Sequence, residues 1–349
     1  MGKTPIEWAT HTENWLAGCT KVSPACTHCY AETMTARLET MPHAPDRYRD
    51  GVIKDRRWTG RISYSVVPML VMFQELATAT KPRCVFCNSM SDTFHANVPA
   101  ESLTDLADQI ETWDRCWWRT DSGCERADAV GEEISTMERR TRGRKSVIML
   151  LTKRPDRMLA WQREYFPDGL PSWVWVGCTV EDQRRANERV PVLVKVDATV
   201  RFLSCEPLLG PVNLDFIASD GLGKPGYHFS ALQVFPPNNN NGISWLIAGG
   251  ESGPKARPTH PDWLRSLRDQ CAEAGVPFMF KQWGAWVSDL DKPCRTDLRI
   301  ASWVAPDGST GNTQPQPPGA AWGANLGKHK SGRTLDGITH DGFPEVDDG

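Results

Sequence analysis

Five short apolar runs, each ending in a polar signature, constrain this chain more than any other feature. Arg83 to Cys87 leads into Asn88-Ser89-Met90-Ser91-Asp92-Thr93-Phe94-His95, and Ser146 to Leu151 into Thr152-Lys153-Arg154-Pro155. Trp173 to Cys178 leads into Thr179-Val180-Glu181-Asp182, Val200 to Cys205 into Glu206-Pro207-Leu208, and Ile243 to Ala248 into Gly249-Gly250-Glu251-Ser252-Gly253. Runs of this length, rich in β-branched and apolar residues, fit buried parallel strands. Between them Ser102 to Thr112, Gln183 to Val190 and His260 to Ala274 read as helices. Together with a strand before the first cysteines, this predicts an α/β fold of about six βα units, a partial (β/α)6 TIM-type barrel. All the polar signatures then fall at strand carboxyl ends, where parallel α/β sheets bind ligands.

The remaining elements follow from local pattern. Ala31 to Leu38 and Pro68 to Thr80 read as helices, the second with Pro in its first turn. Pro45 to Arg57 reads as exposed loop, and Val276 to Gly284 as a further apolar strand ending in Lys281, Gln282 and Trp283. Residues 1–285 are expected to form the barrel, interrupted by a charged insertion at about 111–145 and a flexible Asn-rich excursion at about 220–242. A C-terminal extension, 286–349, carries a Pro- and Gly-rich linker at 306–319 and an acidic, disordered end.

The net charge of −3 gives no global attraction to a phosphate backbone, although a local basic groove fits within such a total. Arg139 to Lys145 is one candidate for phosphate contact, a solvated helix end being the commoner use of such a run. Eleven cysteines without an apolar leader point to thiols and ligands in a reducing cytoplasm. No apolar run is long enough to span a membrane. The 15 tryptophans serve packing first, with base stacking as the less common use.

Cys19, Cys26 and Cys29 are spaced C-x6-C-x2-C in one N-terminal loop. Soft thiolates select zinc or iron–sulfur clusters, and three of them leave one position of a [4Fe-4S] cluster open. His28 as a fourth ligand would make a zinc site instead. Cys84 and Cys87 also read C-x2-C, but in a strand residues three apart face opposite ways, which favours buried thiols over a second metal site.

With the loop and the strand ends assembled, the chain resembles the radical SAM superfamily. More closely it resembles a family of phage and prophage proteins of that type, through Ile6 to Thr10, Gly18 to Thr20, Cys26 to Tyr30, Asn88 to His95, Leu151 to Asp156, Phe202 to Leu209, Gly249 to Gly253 and Lys281 to Gly284. The resemblance implies an enzyme that holds a [4Fe-4S] cluster on Cys19, Cys26 and Cys29 and cleaves S-adenosylmethionine reductively. It further implies a one-electron donor of flavodoxin or ferredoxin type, and a DNA or nucleotide substrate in a host cytoplasm. Isomerisation of an amino-acid (glycyl) adduct on a hypermodified thymine in phage DNA would be such a reaction. Asn88, Ser91, Asp92, Thr152, Glu206, Gly249, Gly250 and Glu251 would then contact S-adenosylmethionine, and Lys153, Glu181, Lys281 and Trp283 the substrate. Two departures stand out: the first cysteine gap is six where the superfamily has three, and Gly249-Gly250-Glu251 follows a late strand instead of the second. A photoproduct-lyase-like repair enzyme and a non-catalytic zinc module are the alternatives.

Overall fold

A computed structural model describes residues 1–115, 146–218, 226–233, 242–253, 255–288, 301–312 and 316–345. Most of the charged insertion, including Arg139 to Lys145, the Asn-rich run and the acidic end lie outside the described residues.

The fold is α/β, built on one eight-stranded sheet. We number its strands β1 (Gly2–Lys3), β2 (His11–Glu13), β3 (Cys84–Cys87), β4 (Val147–Thr152), β5 (Val174–Thr179), β6 (Arg201–Cys205), β7 (Trp245–Gly249) and β8 (Phe278–Gln282). Their order across the sheet is their order along the chain, so each new strand is laid beside the last. β1 runs antiparallel to β2, while β2–β3, β3–β4, β6–β7 and β7–β8 are parallel. Among the described residues β1 and β8 are not paired with each other, and the sheet is open, like an incomplete barrel. The chain divides within β5 into two compact units, 1–21 with 31–176 and 22–30 with 177–349.

In the first unit the helices are α1 (Tyr30–Leu38), α2 (Val66–Ala77), α3 (Ala100–Trp113) and α4 (Pro155–Tyr165). β4 shows why its run of apolar residues makes a strand: Val147, Ile148, Met149 and Leu150 are all buried, so both faces need apolar side chains. Trp161 and Trp173 are fully buried; Trp161 packs against Phe94 at 5.5 Å between ring centroids and Trp173 against Trp113 at 4.4 Å. Each indole N–H finds a buried acceptor, Leu103 O for Trp161 and Asp114 Oδ1 for Trp173, both at 3.0 Å. Burying ~200 Å² of such a ring is worth roughly 5 kcal/mol before conformational costs. Tryptophan is thus largely a core residue here. α2 starts two residues before Pro68, which still sits in the first turn where its missing N–H costs no hydrogen bond. Pro45 to Arg57 is not simply loop: Asp46–Tyr48 is a 3-10 turn, and Ile53–Lys54 pairs with Arg57–Trp58. The two residues between those short strands, Asp55 and Arg56, have φ of 50° and 62°, the left-handed turn that a hairpin needs. Asp-Arg is an uncommon pair for it, and its sequence signal is correspondingly weak.

In the second unit α5 (Gln183–Leu193) and α6 (Pro261–Ala274) are both capped by side chains. Asp182 Oδ1 accepts from Arg185 N at 2.8 Å, and His260 Nδ1 from Asp262 N at 3.1 Å. Beyond β8, Trp286–Ser288, Ala321–Asn325, Ala301–Val304 and Thr310–Gly311 form a separate four-stranded sheet in that spatial order. Cys178 and Cys205 are completely buried, and burial pushes the Cys205 thiol well up. Cys87 is likewise packed inside β3, and burial pushes the Cys84 thiol up to about 11. Among the described residues no helix is long and apolar enough to cross a membrane.

Candidate functional site

In the first unit the turn after β3 is organised by side chains from its own signature. Asn88, with φ of 54°, turns its Oδ1 onto the backbone N–H groups of Trp15 (3.0 Å) and Leu16 (3.1 Å), and its Nδ2 donates to Thr93 Oγ1. Asparagine is one of the few residues that adopts this conformation at small cost. Ser91 Oγ donates to Gly18 O at 2.5 Å. Gly18 itself has φ of 99°, and a Cβ there would lie 2.0 Å from Arg61 O, so only glycine fits.

Asp92 is the hub. Its Oδ1 accepts from Thr152 Oγ1 (2.6 Å) and Phe94 N (3.0 Å), and its Oδ2 from Lys153 N (3.2 Å) and Arg154 Nη1 (2.6 Å). The carboxylate is buried, and this set of donors keeps it from being an isolated charge in a dry site. It joins the end of β3 to the end of β4 and to the start of α4.

Arg154 then reaches Thr20, donating from Nη2 to its carbonyl (3.3 Å) and its hydroxyl (2.9 Å). His95, 1% exposed, completes the group. Asn97 N–H donates to His95 Nδ1 at 3.0 Å, so in the neutral ring the proton is on Nε2, which faces Thr20 Oγ1 at 2.8 Å. Burial, reinforced by the charges of Arg154 and Arg157 and opposed by Asp92, depresses the imidazole to about 4, so the ring is neutral at pH 7. Thr20 Oγ1 thereby receives two N–H donors. Its lone pairs are engaged, and its own proton is left to donate. α4 begins directly behind, with no side-chain cap on its first turn.

In the second unit the turn after β7 is built on close backbone approach. A Cβ on Gly250 would lie 2.0 Å from Trp283 O, and one on Gly284, which has φ of 78°, 2.2 Å from Glu251 O. Glu251 is buried and is gripped by Arg257: Nε to Oε2 at 2.8 Å, Nη2 to Oε1 at 2.6 Å and the backbone N–H to Oε2 at 2.8 Å. Burial alone would raise this carboxyl, but the bonds and charge of Arg257, with His28, hold it below its ordinary range. Arg257 Nη2 also donates to Pro24 O at 3.0 Å, and His28 Nδ1 lies 3.3 Å from Glu251 Oε2. Glu206 Oε1 pairs with Lys281 Nζ at 3.1 Å, beside Gly249, where a Cβ would come within 3.1 Å of that oxygen. Glu181, wholly buried, pairs through Oε2 with Arg189 Nη1 at 2.8 Å, while its Oε1 has no partner among the described residues. Trp283 is buried, its indole donating to Thr334 O at 2.9 Å.

Of the residues singled out in the sequence, Asn88, Ser91, Asp92, Thr152 and Lys153 meet in the first unit. Glu181, Glu206, Gly249, Gly250, Glu251, Lys281 and Trp283 lie at strand ends of the second. Thr20, His95, Arg154 and Arg257 were not singled out, although His95 and Arg154 stand inside the polar signatures and Thr20 follows Cys19. Their signal is the motif itself, Asn88 to His95 facing Thr152 to Pro155; Arg257 has no spacing cue beyond following Glu251 by six.

The cysteine loop requires correction. Among the described residues no group of three or more His, Cys, Asp or Glu side chains is placed to hold a metal ion. Cys19 Sγ turns instead to Thr20 O (3.5 Å) and Cys26 Sγ to Ser23 Oγ (3.7 Å), and Pro24–Cys26 is a 3-10 turn. Spacing counted three thiols in one loop but did not aim them. The [4Fe-4S] cluster, its S-adenosylmethionine chemistry, the isomerase and lyase activities and the zinc alternative all depended on that ligand set, and they are withdrawn with it. No curated protein and no solved structure matches the chain. One family model does, over residues 3–120 and 127–344, and its description is that of a protein of unknown function, with no radical SAM assignment. Because that match extends over nearly the whole sequence, the chain belongs to the family designated DUF5131.

Proposed function

We propose that this protein binds a small phosphate-bearing ligand of the nucleotide class at the strand ends of its first unit. The observation that carries this reading is the Thr20 hydroxyl. With His95 Nε2 and Arg154 Nη2 both directed at it, Thr20 can only donate, and a donor beside the Arg154 guanidinium suits an anionic oxygen. The amino end of α4 adds the positive end of a helix dipole in the same place. Asp92 positions these groups, and Ser91 and Asn88 fix the turn that carries it. The strand order along the chain supports a partial (β/α)6 barrel as the finer description of the sheet, with this site on its ligand-binding edge.

Titration calorimetry with ATP, inorganic phosphate and the neutral nucleoside adenosine tests the proposal. The nucleotide is expected to bind and adenosine not, with affinity that weakens as salt rises. Thr20→Val keeps the side-chain shape and removes the donor, and a loss of about tenfold, or ~1.4 kcal/mol, is expected. Equal binding of adenosine and ATP, or an unchanged affinity in a folded Thr20→Val variant, would sink it.

A further inference from the structure

A cavity lies in the second unit, apart from the residues described above. α6 runs from the carboxyl end of β7 to the amino end of β8, and its last turns form one wall of a cavity of about 760 Å³. The facing wall is the short hairpin Ile217–Ala218 and His228–Phe229 with the segment before it. Backbone and side chain lock the two walls together: Gln270 Oε1 accepts from Leu214 N at 2.7 Å, and its Nε2 donates to Val212 O at 3.0 Å.

The lining has a definite chemistry. Phe216 stacks on His228, with ring centroids 3.7 Å apart and planes 13° from parallel. One face of Phe216 is thus covered, yet the residue is 57% exposed, as is Tyr227. Asp215 and Glu273 stand on opposite walls, Asp215 held by Ser230 Oγ at 2.7 Å. No lysine or arginine is among the described lining residues. Glu273 sits in the last turn of α6, where the carbonyl end of the helix dipole adds further negative potential. His228 Nδ1 is buried and has no partner among the described residues.

Aromatic faces attract cations through their quadrupole, carboxylates neutralise them, and an apolar body fills the space between. We propose that this cavity is a binding site for an organic ammonium cation, its charge beside Phe216 and between Asp215 and Glu273. The site is independent of the nucleotide site proposed above.

The test uses the full chain with choline and its neutral isostere 3,3-dimethyl-1-butanol, followed by ligand-observed NMR and calorimetry. Choline is expected to bind at millimolar concentration or better and the alcohol at least about tenfold more weakly, since only the charge differs. Phe216→Ala, a change at an exposed ring, should weaken choline by about tenfold, and Glu273→Gln by about threefold, with the thermal midpoint unchanged. Failure of choline to bind, equal binding of the two probes, or indifference of choline affinity to both substitutions in folded protein would each overturn the proposal.

Discussion

Two buried carboxylates terminate strands of the same sheet, and they are held in opposite ways. Asp92 gathers donors from far along the chain: Thr152 is 60 positions away and Arg154 is 62. Glu251 is gripped chiefly by Arg257, only 6 positions on. The solvent exposure of the partners differs accordingly. Arg154 retains 13% of its side-chain exposure against Asp92 at 8%, whereas Arg257 retains 31% against Glu251 at 4%. Glu251 has one long-range contact of its own, His28 at 223 positions, but its short bonds all come from Arg257, so most of its grip is local where most of that on Asp92 is distant. The first arrangement also leaves a polar hydroxyl with a proton to give, which is why the ligand proposal rests there.

Replacing each acid by alanine measures that contrast most directly. Asp92→Ala strands Thr152, Arg154 and two backbone N–H groups in a largely dry site, and should cost about 3–5 kcal/mol. Glu251→Ala leaves Arg257 free to turn toward water and should cost about 1–2 kcal/mol. Urea unfolding at pH 7 reads both. Equal losses would mean that separation along the chain does not govern the strength of these hubs.

Backbone packing offers the second-largest effect and sits on the Glu251 side. Gly250→Ala drives a Cβ to 2.0 Å from Trp283 O, a backbone atom that cannot swing aside. The turns after β7 and β8 must separate, at a cost of about 2–3 kcal/mol. A loss this large, beside a smaller one for Glu251→Ala, would show that close approach of chain to chain, and not the ion pair, holds that turn. A thermal shift of less than a degree would show that the turn yields freely.

His95 extends the contrast to pH. Its ordinary value of 6.5 applies to the unfolded chain, and its folded value is depressed to about 4. Between those values the unfolded state binds more protons, so stability falls as pH drops from 6.5 toward 4 and is insensitive to this group outside that window. Denaturant midpoints across pH 4–7 should therefore decline toward acid, and His95→Gln should flatten the decline while preserving a donor to Thr20. Parallel pH profiles for the two proteins would remove His95 from the network.

The sheet was legible because each apolar run had the length and composition of a buried strand, and the polar residues after each run marked its end. Helices with a clear start, such as α6 behind His260 and Pro261, were legible for the same local reason. Glu181, by contrast, has the letters of a ligand contact and the surroundings of a buried ion pair, closed by Arg189 two turns along its helix. Nothing in the spacing distinguishes those roles, since burial is a property of the packed chain. The cysteines teach the same lesson more sharply. C-x6-C-x2-C records proximity along the backbone, while ligation depends on where each Sγ points, and here Thr20 O and Ser23 Oγ take up two of them. Thr20 was visible only as a neighbour of Cys19. Its donor role required His95 and Arg154 to converge from 75 and 134 positions away.

The smallest expected effect tests what kind of grip Arg257 has. Its guanidinium meets both oxygens of Glu251 and still reaches Pro24 O, a forked geometry that an ammonium cannot reproduce. Arg257→Lys keeps the positive charge beside the buried acid and gives up the fork. If charge is what matters, stability should hardly move; if the fork ties the turn after β7 to the segment at Pro24, a loss of about 0.5–1 kcal/mol is expected. Hydrogen exchange separates the two, because loss of the tie should speed exchange at Cys26 and Thr27, whose N–H groups bond within that segment, and leave the Asp92 side unchanged. A change spread over both sides would contradict the confinement of the Glu251–Arg257 grip to its own turn and the segment at Pro24 and His28, and with it the distinction from the Asp92 hub.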